Sequence, residues 1–294
     1  MRIARFGILG ALVLSAVGCQ TDDGGPTTPN LPPFAFVRYI NAVPDTFNLT
    51  VRFINQVEFV PHTIVNVPYR GMSQGGYQAT EAGAHRFRAF TFDPALATSN
   101  SPLGAQTAML ADTSFTFVAG QYYTILHAGF SRAGQLPAQR MLILEDAVPT
   151  PTGISIRAIN AAIGMPAGVS ALDGFLTATA GTALAGAPAF ANIAYGAASA
   201  YSAQAAAATA AQFAARGTLV SLAAGAAPAG TPAVTVGALI ANPIAGATVA
   251  GSVLTAVGFG PSVPGSRAAA SATASVVWFQ DRQPARTVPI VPLP

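Results

Sequence analysis

The feature that most constrains this chain is that its body is written twice. Residues 36–42, FVRYINA, return as 155–161, SIRAINA. Val67-Pro68-Tyr69-Arg70, followed by Ser73 and Tyr77, returns as Ile193-Ala194-Tyr195-Gly196, followed by Ser199 and Tyr201. Residues 117–124 return as 248–255, and 141–146 as 276–281. The four blocks keep their order while the offset grows from 119 to 135 residues, so the second copy carries insertions. Four ordered matches point to a duplication, and each copy must then close its own core.

Each copy reads as β structure. Short runs of β-branched and aromatic residues alternate with Gly, Pro, Asn and Asp. Strands are expected over 35–40, 49–53, 87–92, 115–118, 122–128 and 141–144, with tight turns at Ala119-Gly120 and Ala250-Gly251. Several short strands per copy of this length suit a sandwich. The expected fold is all-β: two tandem immunoglobulin-like antiparallel β-sandwiches, over residues 34–149 and 153–288. The boundary is expected in Pro149-Thr150-Pro151-Thr152-Gly153, where prolines restrict the chain and lack ladder donors.

Two stretches pull the other way. Residues 203–215 are alanine-rich and favour helix; their counterpart, 79–89, suits a loop and then a strand, and the repeat is given precedence. Residues 217–266 contain no charged side chain, which makes a membrane span the competing reading. Pro228, Pro232, Pro243, Pro261 and Pro264 interrupt that stretch, and its counterpart contains Asp112. Buried strands with bland loops are therefore expected there.

Ahead of the body lies an export address. Arg2 and Arg5 precede an apolar run over 6–17 and the small residues before Cys19. That is the layout of a secretory signal over 1–18, too short to span a bilayer as a helix. Ala16-Val17-Gly18-Cys19 resembles a lipobox, with Ala16 where Leu is commoner. An ordinary signal peptide with an incidental cysteine is the alternative. Lipidation at Cys19 implies a membrane partner, reached through acyl chains that each contribute about 0.8 kcal/mol per buried methylene. Residues 19–33, rich in Pro, Gly, Thr and Asp, read as a flexible tether. The expected location is the cell envelope, at the outer membrane.

All 14 basic residues are Arg, and loss of Arg2 and Arg5 leaves 12 against 11 acids. A body this close to neutrality offers no stripe for tracking phosphates, so nucleic acid is not an expected partner. One cysteine allows neither an internal disulfide nor a cysteine-based zinc site.

Arg38-Tyr39-Ile40-Asn41-Ala42-Val43-Pro44-Asp45, the Tyr69/Ser73/Tyr77 block and Ala119-Gly120-Gln121-Tyr122-Tyr123-Thr124 resemble the DUF4397 family. The likeness is weaker over 153–286, where Val253-Leu254 stands in place of Tyr122-Tyr123. The resemblance implies exported, sandwich-type domains, often in tandem, and carries no catalytic residue.

No catalytic, cofactor or metal motif stands out. His62, His85 and His127 are scattered, Gly-x-Ser-x-Gly is missing, and there is no Lys for a phosphate loop. Glu145 and Asp146 are adjacent, so on a strand they point apart and read as a strand ending in solvated charge. Asp45 suits a turn in which its carboxylate accepts backbone N–H groups; with Asp146 it is also a remote calcium candidate. Arg38 and Arg157 recur in equivalent strands and read as stems packed on a sheet with the guanidinium at the rim; ligand binding is the alternative. Tyr69, Tyr77, Tyr122 and Tyr123 could form an aromatic binding surface or be half-buried sheet residues. The expected function is a non-enzymatic envelope lipoprotein, a structural or adhesive binding module whose partner is an envelope protein or a glycan. The alternative is a carbohydrate- or peptide-binding accessory protein with a defined pocket.

Overall fold

Alternation along the strands produces two faces per sheet, and in this protein both faces of two sheets are buried. The computed structural model describes residues 32–54, 63–96, 106–165, 169–230, 232–235 and 241–284. The signal segment 1–18, Cys19, nearly all of the tether and His62 lie outside them.

The first half contains β1 (Phe34–Ala42), β2 (Asn48–Phe53), β3 (Thr63–Val67), β4 (Gln78–Glu81), β5 (Gly83–Phe92), β6 (Gln106–Phe117), β7 (Tyr122–Ala128) and β8 (Arg140–Glu145). The second contains β9 (Ile154–Ala161), β10 (Ala171–Thr177), β11 (Phe190–Ala194), β12 (Ser202–Gln204), β13 (Ala210–Ala215), β14 (Ser221–Ala226), β15 (Pro232–Thr235), β16 (Ala241–Pro243), β17 (Val253–Phe259) and β18 (Ser275–Arg282). Sheets β4-β1-β7-β8 and β3-β2-β5-β6 make the first sandwich; β12-β9-β17-β18 and β11-β10-β13-β14 make the second. Strand order is the same in both. The ribbon β15-β16 is an addition of the second half, placed where the first half passes directly from β6 to β7.

The fold is all-β, as the sequence suggested, with one refinement. β1 pairs parallel with β7, and β9 parallel with β17, so each of those sheets is mixed and not purely antiparallel. The paired strands are far apart in sequence, so no hairpin forces them antiparallel. The turns entering β7 and β17 use Gly120 (φ 75°) and Gly251 (φ 86°), a region L side chains rarely adopt.

Three cores result. Val37, Tyr39, Tyr123 and Ile125 face Val51, Phe53, Phe87 and Phe117 inside the first sandwich. Ile156, Ala158, Leu254 and Ala256 face Leu172, Phe190, Ile193 and Phe213 inside the second. The opposite faces of the β1 and β9 sheets meet each other through Ile40, Leu126, Ile159, Val257, Phe259 and Phe279. The molecule is therefore four sheets deep, and the middle contact joins the halves.

The alanine-rich stretch forms strands, not a helix. β13 is hydrogen-bonded on both sides, to β10 and β14, and five of its six residues are buried. Ladder bonds and burial together outweigh alanine's helical preference. The uncharged stretch 217–266 carries β14 to β17, and no helix among the described residues is long and apolar enough to cross a membrane. β3 and β4 were not among the expected strands. Residues 79–89 hold the end of β4 and most of β5, separated at Ala82, where a loop was expected before the strand.

Candidate functional site

Among the described residues, a dense cluster of buried ionisable groups lies between the two sandwiches. Arg38 stands opposite Thr124 in the β1–β7 pairing, and Arg157 opposite Thr255 in the β9–β17 pairing. All four side chains emerge on the faces that meet. Arg38 Nε donates to Thr124 Oγ1 at 2.8 Å, and Arg157 Nε to Thr255 Oγ1 at 2.9 Å. Each guanidinium then crosses to the other half. Arg38 pairs with Asp281, the penultimate residue of β18, and Arg157 Nη1 reaches Asp146 Oδ1 at 2.5 Å. Arg38 Nη2 also donates to Thr255 Oγ1 at 3.2 Å, and Arg157 Nη2 to Thr124 Oγ1 at 3.3 Å.

The carboxylates are filled from their own halves. Asp146 Oδ2 accepts Tyr77 Oη–H at 2.6 Å and Thr124 Oγ1–H at 2.5 Å. Asp281 Oδ2 accepts Tyr201 Oη–H at 2.6 Å and Thr255 Oγ1–H at 2.5 Å. Arg38 lies 4.6 Å over the Tyr77 ring and Arg157 4.8 Å over Tyr201. The eight residues form a clasp with approximate two-fold symmetry.

Burial opposes the guanidinium charge, but the carboxylates outweigh it, Asp281 first for Arg38 and Asp146 first for Arg157, so both pKa values are raised. Burial likewise raises Tyr77 and Tyr201, which remain protonated donors. Among the described residues, none of the buried polar atoms left without a partner belongs to the clasp. Each guanidinium nitrogen and each carboxylate oxygen of the cluster has a partner, so it offers neither a free base nor a nucleophile. Its chemistry is that of a structural ion-pair network.

The placement corrects two expectations. Arg38 and Arg157 do not end at the rim: they are 0% and 2% exposed. Asp146 is not solvated charge but 1% exposed. The physical reason is the same in each case, since the face that carries them is covered by the other half.

The four tyrosines do not make one binding surface. Tyr77 joins the clasp. Tyr69 is buried where the halves meet and donates to the Gly260 carbonyl at 2.8 Å. Tyr123 sits in the first core, its hydroxyl accepting the Val118 N–H at 3.2 Å. Tyr122 stacks on Phe36 with centroids 4.7 Å apart. Asp45 is a turn residue as expected, accepting N–H from Ser131 at 2.9 Å and Arg132 at 3.0 Å. It is separate from Asp146, and no group of three or more His, Cys, Asp or Glu residues among the described ones could hold a metal. Thr124, Tyr201, Thr255 and Asp281 were not singled out from sequence. The signal was present: each occupies a matched position of the two copies.

His127 is buried between Tyr39 Oη, 2.8 Å from Nδ1, and the Gln139 side-chain oxygen. Burial lowers its pKa to about 4. The unfolded chain, with an ordinary value near 6.5, then binds the extra proton between about pH 6.5 and 4. Stability should be unaffected above that window and fall as pH drops through it, by on the order of 3 kcal/mol in total. Urea midpoints at pH 7, 5.5 and 4 measure this, and His127→Gln should flatten the profile. An equally steep profile in that variant would assign the effect elsewhere.

The fold and site define an all-β protein of two face-packed sandwiches held by a buried polar clasp. Residues 35–169 match the DUF4397 family, a domain of unknown function, so the match runs from β1 through β9. No curated protein matches the chain. Among solved structures, a leucine-rich repeat protein from Bacteroides thetaiotaomicron VPI-5482 is 12% identical with a TM-score of 0.21, covering 66% of this chain. The chain spans only 24% of that protein's length. A candidate cell adhesion protein from Parabacteroides distasonis ATCC 8503 is also 12% identical, with a TM-score of 0.24, covering 85% of this chain and all of its own. Neither likeness bears on function.

Proposed function

We propose that this is a non-enzymatic lipoprotein of the bacterial cell envelope, a rigid binding or adhesive module made of two DUF4397-type copies. The observation that carries this reading is the closed clasp. Among the described residues, a buried cluster of charged and hydroxyl groups is spent on joining the halves, which suits a stiff display body and leaves that cluster no reactive group. The repeated strand order and the matched clasp residues support descent of both halves from one domain. The signal-like segment 1–18 and the lipobox-like residues before Cys19 support export and lipid anchoring at the outer membrane, with an envelope protein or a glycan as partner.

Anchoring is tested by replacing Cys19 with Ser in the full chain. Incorporation of labelled palmitate should disappear, and the protein should leave the membrane fraction. Labelling at the wild-type level in that variant removes the lipoprotein reading. A pocket-type carbohydrate- or peptide-binding protein is the second reading, favoured by a groove of about 450 Å³ lined by Asp45, Phe47, Arg132 and Arg267 among others.

A further inference from the structure

We propose that two copies of this chain pair through β6, antiparallel and centred on Ser114, joining their sheets into one. β6 has 12 residues and ends the β3-β2-β5-β6 sheet, with no strand beyond it. Strand alternation says which of its main-chain groups are free. Ile54 N–H donates to the Arg86 carbonyl at 2.9 Å, so Arg86 bonds toward the β2 side of β5. Its neighbours His85, Phe87 and Ala89 therefore bond toward β6, where they stand opposite Phe115, Thr113 and Ala111. The residues between, Asp112, Ser114 and Thr116, turn their N–H and C=O groups away from β5. All three are exposed, and no hydrogen bond among the described residues uses those groups.

This window is bounded at both ends. The Leu110 carbonyl is taken by Gln139 Nε2, and the Val118 N–H by Tyr123 Oη at 3.2 Å. The outward residues between them are symmetric about Ser114, and a second copy matches that symmetry. An antiparallel partner centred there sets Ser114 opposite its own counterpart, and Asp112 of each copy opposite Thr116 of the other. Residues paired in this way exchange two bonds, and the contact is isologous, so it closes as a dimer and not as a fibre. Asp112 is the one ionisable residue of β6, and Arg86 at 2.6 Å and Arg88 at 2.8 Å hold it over its own sheet. A slip that centred the pair on Asp112 would set two carboxylates opposite each other, which is destabilising. The Ser114 register instead brings Val118, 56% exposed, beside Leu110 and Met109 of the other copy, and Met109 is itself 55% exposed.

The same edge favours a second copy over an unrelated extended peptide. Strand addition of a peptide draws its specificity from pockets for alternate side chains. Asp112, Ser114 and Thr116 are small or already paired, and none of them lines the groove beside Asp45. β6 also lacks the Lys and Pro that keep edge strands solitary, and its irregular register against β5, between Ala89 and Phe92, falls outside the window. The corresponding edge of the second half, β14, is guarded. Trp278 Nε1 of β18 donates to the Gly225 carbonyl at 3.1 Å, and a Cβ on Gly225 would meet the Val276 carbonyl oxygen at 2.6 Å.

The inference is independent of anchoring, and its test is made in solution on the full chain carrying Cys19→Ser. Sedimentation velocity should show a concentration-dependent dimer. Ser114→Pro removes the central outward N–H, which the β5 ladder does not use, so circular dichroism should show an intact fold. The dimer dissociation constant should rise about tenfold or more, the scale of losing the two central bonds. Cysteines report the register even if the proline variant misfolds. Ser114→Cys in the same background carries the only thiol of the chain. Its counterpart in the second copy lies about 5.5 Å away between Cα atoms, within the span of a disulfide, so mild oxidation should cross-link the dimer. Thr116→Cys puts the two thiols four residues apart along the strands, about 14 Å, and should cross-link far less. A parent chain that stays monomeric up to its highest soluble concentration, a dimer untouched by Ser114→Pro in a folded variant, or equal cross-linking at the two positions would overturn the proposal.

Discussion

Arg38→Ala is expected to destabilise the protein by about 3–5 kcal/mol, the cost of leaving a buried ionic partner uncompensated. Asp281 is the group left behind, with its side chain 0% exposed and still holding Tyr201 and Thr255. Asp281→Ala should cost a similar amount by stranding Arg38. The double variant should cost far less than the two together, because neither charge is then unpaired. Pairs coupled in one network deviate from additivity by up to about 3 kcal/mol. The mirror pair, Arg157 and Asp146, should behave alike, since its geometry repeats that of the first. Because Arg38 and Asp281 belong to different halves, loss of the clasp should also split a single unfolding transition into two. Urea unfolding of the four proteins in each cycle makes the measurement. Additive effects, or an Arg38→Ala cost below about 1 kcal/mol, would mean that the apolar contacts around Ile40 and Phe259 hold the halves without the clasp.

Phe53→Ala should cost about 3–5 kcal/mol, through lost transfer energy and the cavity left in a core that cannot fully collapse. Phe53 is fully buried, with the Phe87 ring 5.3 Å away, His85 5.7 Å and Phe117 6.1 Å, centroid to centroid. These rings come from two strands of the same sheet, β5 and β6, so a backbone shift of one strand cannot refill the space. Hydrogen exchange should show the loss concentrated in β2, β5 and β6, with β9–β18 less affected. A cost near 1 kcal/mol would show that the first core repacks freely.

The two cores illustrate how one fold accepts different fillings. The first is braced by Phe53, Phe87, Phe117 and Tyr123, whereas the second combines Phe190 and Phe213 with Ala158, Ala211, Ala223 and Ala256. Sheets with small side chains can still pack closely when a few large residues interdigitate between them. The second copy's alanine content therefore misleads helix propensity while leaving the sandwich intact.

Most strands were legible because alternation has a period of two and each strand ends in Gly, Pro, Asn or Asp. β1, β2, β5, β7 and β8 follow that rule. β3 and β4 escaped it: β3 holds Asn66 at φ 57°, which breaks regular extension, and β4 has only four residues. The clasp residues were legible as recurrences but not as partners. Arg38 and Arg157 stood out because each interrupts an apolar strand. Asp146 looked like an ordinary charged strand end, and Asp281 was visible only as its counterpart in the second copy.

Local chemistry alone was enough to indicate strands, turns and a repeated unit, because those depend on neighbours a few residues apart. Alternation also placed Arg38 on one face with Phe36 and Ile40. It could not say what lies opposite that face, since a strand's pattern is the same whether its outer side meets water or another sheet. Only the packing of one sandwich on the other supplies the answer. It brings Asp281 to Arg38 across 243 residues, and Asp146 to Arg157 across 11, through the same contact. Charges that would have been solvated on a single sandwich are thereby buried and must pair, because the water that would have stabilised them has been replaced by the other half.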